Sequence, residues 1–354
     1  MRFAIDADTG NQISGWIVLD NPNETPTIRI IVPGRKHIDM LANIHRRDLV
    51  DGGWHATGMV GFYIDSSIVP GLETENEIEL RERDSKLLFY KRYSIHSHID
   101  KKLLLLDSSL FPQRKLYNTI NPHFSLPFNF ITHLSYETFF SIVSMPHGKS
   151  MFIAGRPFYM RYAGDFQLYQ YVVAALLRDP FEQFAENLLF LNLVARSQNP
   201  ELFAPLVAGM TSLLPFALEF PFENDKEMAK AIRKLSEEQQ DLLRDPTTRM
   251  LACNPGERAN RNHVSVALGN LATMNAVGTR ARFAEFRTML ADALGADVIH
   301  DAVPEVWTSA PALTEKLARL DIVKDLLEND LALFSFAEEA VETGLSNAER
   351  KAAT

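Results

Sequence analysis

Arg178 closes the apolar run at 171–177 and is followed at once by Asp179-Pro180. Aspartate suits a helix N-cap and proline the first helical position, so the spacing predicts a strand, a short joint and then a helix. Phe181, Phe184, Leu188, Leu191 and Ala195 recur at helical spacing beyond it. In an open α/β sheet, ligands bind at the carboxyl ends of the strands. A guanidinium there can grip a phosphate through two parallel hydrogen bonds. The plain alternative is a joint in the fold, with Arg178 paired to Asp179 or another nearby carboxylate.

A second stretch, LLLLDSSLFPQRKLYNTI at 103–120, reads as a buried strand, a loop and a helix. Unpaired N–H groups at a helix start, with the helix dipole behind them, favour an anion. A phosphate loop of the usual kind has glycines and a lysine. This one has no glycine, and Pro112 removes a donor. Ser108, Ser109, Arg114 and Lys115 are the side chains that can hold an anion here; an ordinary strand–helix connection is the alternative. The third stretch, FIAGRPFYMRYAGDF at 152–166, sets Arg156, Tyr159 and Arg161 on a loop after Gly155. Such residues meet a sugar or an anionic ligand, or they form a polar crust over a core.

Metal ligation finds little support. The histidines show no paired helical spacing such as HExxH. His96 and His98 can share a strand face but fall in a polar linker. Cys253 is the one cysteine, which excludes an intramolecular disulfide and reads as a small buried side chain.

These residues need elements to hold them. Short runs at 13–19, 27–32, 59–64, 77–80 and 86–93, punctuated by Gly and Pro, predict a small β-sandwich over 1–95. That module is either without a site of its own or a carbohydrate-binding or docking module. The segment SIHSHIDKK, 94–102, marks the boundary. Beyond it, apolar runs at 103–106, 150–154 and 171–177 suit strands buried on both faces of a parallel sheet. Helical patterns dominate from 181 onward, with a highly charged, solvated helix expected at 227–243 and apolar stripes at 280–294 and 322–341. The second domain, 101–345, is therefore expected to be α/β with a helical C-terminal part.

The chain has 354 residues, 46% apolar and 23% charged, enough for two cores. A net charge of −9 argues against a nucleic-acid partner but not against a local basic pocket. The start MRFAIDADTG has no signal-peptide pattern, and no apolar run approaches a spanning length. A cytoplasmic location is the expectation.

Taken in order, these stretches resemble the carbohydrate sulfotransferases related to the heparan sulfate enzymes, over roughly 103–345. LLRDPFEQFAENLLFL is similar to the family's strand, Arg-Asp-Pro and helix. KSMFIAGRPFY is similar to its strand and Gly-His element, and LLLLDSSLFPQRKLYNTI stands in the place of its phosphosulfate loop. NLATMNAVGTRARFAEFRTMLADALG and VKDLLENDLALFSFAEE resemble its late segments. In the N-terminal module, ISGWIVLDNP, HRRDL and VGF resemble modules that precede bacterial polysaccharide-modifying transferases.

The resemblance implies a P-loop-like fold, the sulfuryl donor PAPS and a glycan or glycolipid acceptor. It carries Arg178 over as the donor's 3′-phosphate ligand. The family's catalytic histidine falls on Arg156, which accepts no proton at working pH. The serine that helps hold the 3′-phosphate falls on Glu186, and the loop reads SSLFPQRK. The expectation is a sulfotransferase-like protein of bacterial surface glycan modification or assembly, with a non-catalytic glycan-binding or scaffold role. The alternatives are an active PAPS enzyme, with Asp107, Glu182 or another carboxylate as base, and a transferase using another anionic nucleotide donor.

Overall fold

The computed structural model describes residues 1–93, 98–300 and 302–352, with 345–352 as backbone only. Residues 94–97, which include His96 and the first four residues of the expected boundary segment, lie outside the described residues. The chain divides into two compact units. One comprises Met1–Lys102, Pro122–Pro127 and Leu134–Met151; the other comprises Leu103–Asn121, Phe128–His133 and Phe152–Thr354.

The first unit is built on antiparallel strands β1 (Arg2–Asp8), β2 (Gln12–Val18), β3 (Thr27–Ile31), β4 (Ile38–Leu41), β5 (Ile44–His45), β6 (Met59–Asp65), β7 (Ile78–Glu82) and β8 (Leu88–Arg92). They form two sheets, β1-β2-β6-β5 and β4-β3-β7-β8. Strand alternation buries Ile13 and Ile17 of β2, and Ile78 and Leu80 of β7, and leaves Ser14, Trp16, Glu79 and Arg81 half-exposed. Phe89 of the second sheet meets Phe3 and Phe62 of the first at ring separations of 5.8 and 5.9 Å, which makes the pair of sheets a sandwich. Strand β1 was not read from the sequence. Helix Tyr136–Val143 belongs to this unit and packs against it.

The second unit centres on a five-stranded parallel sheet. Its strands are β9 (Lys102–Leu106), β10 (Leu126–Asn129), β11 (Met151–Gly155), β12 (Tyr171–Leu177) and β13 (Ala276–Thr279), in the order β10-β11-β9-β12-β13. The three expected inner strands lie side by side at its centre. Leu103–Leu106 are at most 1% exposed, as a strand covered on both faces requires. The edge strands β10 and β13 were not foreseen, being too short to stand out from their surroundings. Gly278 in β13 lets helix Phe283–Leu294 lie close: a Cβ there would stand 2.6 Å from Phe286 Cβ.

Two helices expected as single pieces are each divided. The 227–243 stretch forms Asp225–Arg233 and Glu237–Leu243, because Ser236 caps the second through a box with Gln239. Nor is it merely solvated, since Met228 and Ile232 are fully buried. The 322–341 stretch breaks at Leu327 into Asp321–Leu326 and Glu328–Ala352. No helix among the described residues is long and apolar enough to cross a membrane.

Candidate functional site

The tips of β9, β11 and β12 converge. The Asp107 amide donates to the Gly155 carbonyl at 3.0 Å. Asp107 then meets Arg178, the first residue after β12, through two hydrogen bonds: Nη1 to Oδ1 at 2.7 Å and Nη2 to Oδ2 at 3.0 Å. The Arg178 side chain is 1% exposed. Burial works against its charge, and Asp107 with Glu186 more than restores it, so its pKa stays above the ordinary value. The Tyr117 hydroxyl donates to Asp107 Oδ2 at 3.0 Å; burial foremost, with that carboxylate, raises its pKa well above the usual range.

The loop after β9 is closed by its own chain. The Ser109 amide donates to Asp107 Oδ1 at 3.1 Å, the Leu110 amide to Asn187 Oδ1 at 2.9 Å and the Phe111 amide to Ser109 Oγ at 3.1 Å. Ser108 Oγ donates to Gln183 Oε1 at 2.9 Å and lies 2.9 Å from Thr247 Oγ1. Phe111 packs on Trp307 at 5.2 Å and on Phe190 at 6.4 Å. The space left beside Asp107, Ser109 and Pro112 is about 20 Å³, the scale of one water.

Both helix starts that could receive an anion already hold a carboxylate of the chain. The Lys115 amide, at the start of helix Arg114–Ile120, donates to Glu305 Oε2 at 2.9 Å. Asp179 caps helix Pro180–Arg196 by accepting from the Glu182 amide at 2.9 Å. Glu186 is fully buried and accepts both Arg280 Nη1, at 3.0 Å, and the Trp307 amide, at 3.2 Å. Burial raises its pKa, with Arg178 and Arg280 pulling the other way. Arg280 also pairs with Glu182. Asp107 and Glu182, the expected candidate bases, are thus each held by a guanidinium.

Of the expected anion-binding side chains, Ser108, Ser109 and Arg178 are therefore buried and internally bonded, while Arg114 and Lys115 are exposed. Tyr159 stacks on Phe166 at 5.9 Å as part of the interior, and Arg161 is exposed on the surface. Arg156, half-buried, differs from both. It lines a cavity of about 360 Å³ together with His133, Phe158, Met210 and Arg249. Sequence reading passed over Gln183 and Asn187, and reached Glu186 only through the family resemblance. Their three- and four-residue spacing places them on one face of the helix, but each alone looks like ordinary helix surface.

Two further clusters bear on the reading. Cys253, Glu257 and His263 bring ligand-type atoms within 4.8 Å of one another. His263 Nδ1 accepts the Asn260 amide at 3.2 Å, which leaves the proton of the neutral ring on Nε2, the nitrogen 4.0 Å from Glu257. As bonded, that ring caps a helix. In the first unit, a groove of about 480 Å³ contains Trp54, but the Arg2 guanidinium already lies 4.6 Å over its ring, where a sugar would stack.

The fold and site define a mixed α/β protein whose central sheet edge is locked by internal ion pairs. No protein-family profile and no curated protein sequence matches the chain.

Proposed function

We propose that this chain is a sulfotransferase-like protein without donor chemistry, serving as a glycan-binding or scaffold component in bacterial surface-glycan modification or assembly. One observation carries the absence of donor chemistry: the amides of Ser109, Leu110 and Phe111 all donate within the chain, while Asp107 takes both terminal nitrogens of Arg178. A donor phosphosulfate would have to displace these partners together. Transfer of this kind depends on pre-placed donors aimed at the developing charge. The glycan assignment rests on the resemblance of 103–345 to carbohydrate sulfotransferases.

The test is a thermal-shift titration with adenosine 3′,5′-bisphosphate, alongside an assay of sulfuryl transfer from PAPS to bacterial polysaccharide. The expected result is no shift at millimolar nucleotide and no transfer. A shift that Arg178→Ala abolishes would replace this reading with that of an active transferase.

A further inference from the structure

We propose that the cavity lined by Arg156 and Arg249 binds a tetrahedral oxyanion, the sulfate or phosphate group of a saccharide. The saccharide part of this assignment rests on the glycan-binding reading above; the oxyanion part does not. The cavity opens beside the end of β11, and helix Pro246–Ala252 brings Arg249 to it.

Among the described residues, neither arginine makes an ion pair with a carboxylate. Arg156 Nη2 donates to the Leu206 carbonyl at 3.2 Å, and burial lowers the guanidinium's pKa to about 10 against the pull of Asp107. That carboxylate is already bonded to Arg178. Arg249 Nη1 donates to the Asp241 carbonyl at 2.5 Å, and its buried Nε has no partner. Two half-buried guanidinium groups with unfilled donors are unusual in a chain of net charge −9. A buried charge without its counter-charge is costly, so a ligand that brings one is favoured. A planar fork of N–H donors matches the oxygens of a sulfate or phosphate.

The remaining walls fit the body of such a ligand. Phe158, Met210, Leu242 and Met250 supply apolar surface for a ring face, while Thr132 and His133 supply polar atoms. His133 Nδ1 bonds to the Phe130 carbonyl at 2.9 Å, so in the neutral ring Nε2 is an acceptor for a sugar hydroxyl. A volume of about 360 Å³ lies within the range of small-ligand sites.

Calorimetric titration of the full chain tests this with three probes at matched ionic strength. They are a heparin-derived tetrasaccharide, its desulfated counterpart and adenosine 3′,5′-bisphosphate. The expected result is binding of the sulfated tetrasaccharide, at least tenfold weaker binding of the desulfated one, and at least tenfold loss in Arg249→Gln and in Arg156→Lys. Circular dichroism checks that each variant is folded; should the Arg156 variant not fold, Arg249→Gln decides alone. If the nucleotide binds instead and Arg249→Gln abolishes it, the oxyanion site stands and the saccharide assignment falls. No binding of any probe, or binding that neither variant weakens, overturns the proposal.

Discussion

Asp107 and Arg178, each the first residue past one of two adjacent strands of the central sheet, face each other through two hydrogen bonds of 2.7 and 3.0 Å, with both side chains at most 6% exposed. The carboxylate takes both terminal nitrogens of the guanidinium, and among the described residues only its buried Nε is left without a partner. Breaking a buried pair by removing one partner leaves the other charge uncompensated, at about 3–5 kcal/mol. Asp107→Ala and Arg178→Ala are each expected to destabilise the fold by that order in urea denaturation. The double variant should cost clearly less than the sum, because the stranded charge is gone.

The same logic applies to Glu186, which stands where the family resemblance expects a serine. Glu186→Ser leaves Arg280 with the Glu182 carboxylate and the Glu305 carbonyl, and frees the Trp307 amide. A loss of about 3–5 kcal/mol in chemical denaturation is expected. Calorimetry should show no gain of affinity for adenosine 3′,5′-bisphosphate, since Asp107 still holds Arg178.

Asp330 and Asp245 form a buried acidic pair. Asp330 accepts the Thr247 and Thr248 amides at 3.0 and 2.7 Å, and Asp245 Oδ1 accepts the Asn329 and Asp330 amides at 3.0 and 3.1 Å. Burial, and then the Asp245 charge, push the Asp330 carboxyl up from 3.8 to about 7. The folded chain therefore binds this proton more tightly than the unfolded chain. Between these two values folding takes up a proton, and this contribution to stability falls as pH rises. Measured from pH 8 down to pH 5, the stability of the wild type relative to Asp330→Asn should rise, by an amount on the order of 1–3 kcal/mol. A difference that stays flat across that range would refute the assignment.

Gly155 ends β11 at φ +146°, and a Cβ there would stand 2.9 Å from Ile131 Cγ1. Gly155→Ala meets both backbone strain and a clash, and should cost roughly 1–3 kcal/mol in thermal or chemical unfolding.

Cys253 is fully buried, and burial lifts its thiol to about 11. Its thiolate is scarce at pH 8, so a disulfide reagent should modify the native chain about 100-fold more slowly than a free thiol. Full reactivity should return in denaturant. Rapid native modification would show that the site opens.

Much of the scaffold was legible before any coordinates. The runs of β9, β11 and β12 had no alternation, which only a sheet covered on both faces tolerates. The Pro-Gly punctuation of the first unit likewise announced its antiparallel strands. The closed loop was not legible. Its acceptors, Asn187 and Gln183, lie more than 70 positions from Ser108 in the chain, and local spacing carries no information about such partners. Arg249 was missed for the same reason, since nothing near it in the chain announces a cavity.

One pentapeptide separates the two kinds of information. Leu-Leu-Arg-Asp-Pro occurs at 176–180 and again at 242–246. Both copies start a helix at their proline, as local stereochemistry dictates. Everything else about them differs. Asp179 caps its own helix, whereas Asp245 adopts φ 42° and binds the amides of a helix more than 80 residues on. Arg178 is sealed against Asp107, whereas Arg244 sits partly exposed, 3.5 Å from Asp241. Backbone preferences act over a few residues and are written in the sequence. Whether a charge is buried, and which opposite charge meets it, depends on chain segments brought together only by folding, and that is where the candidate site was decided.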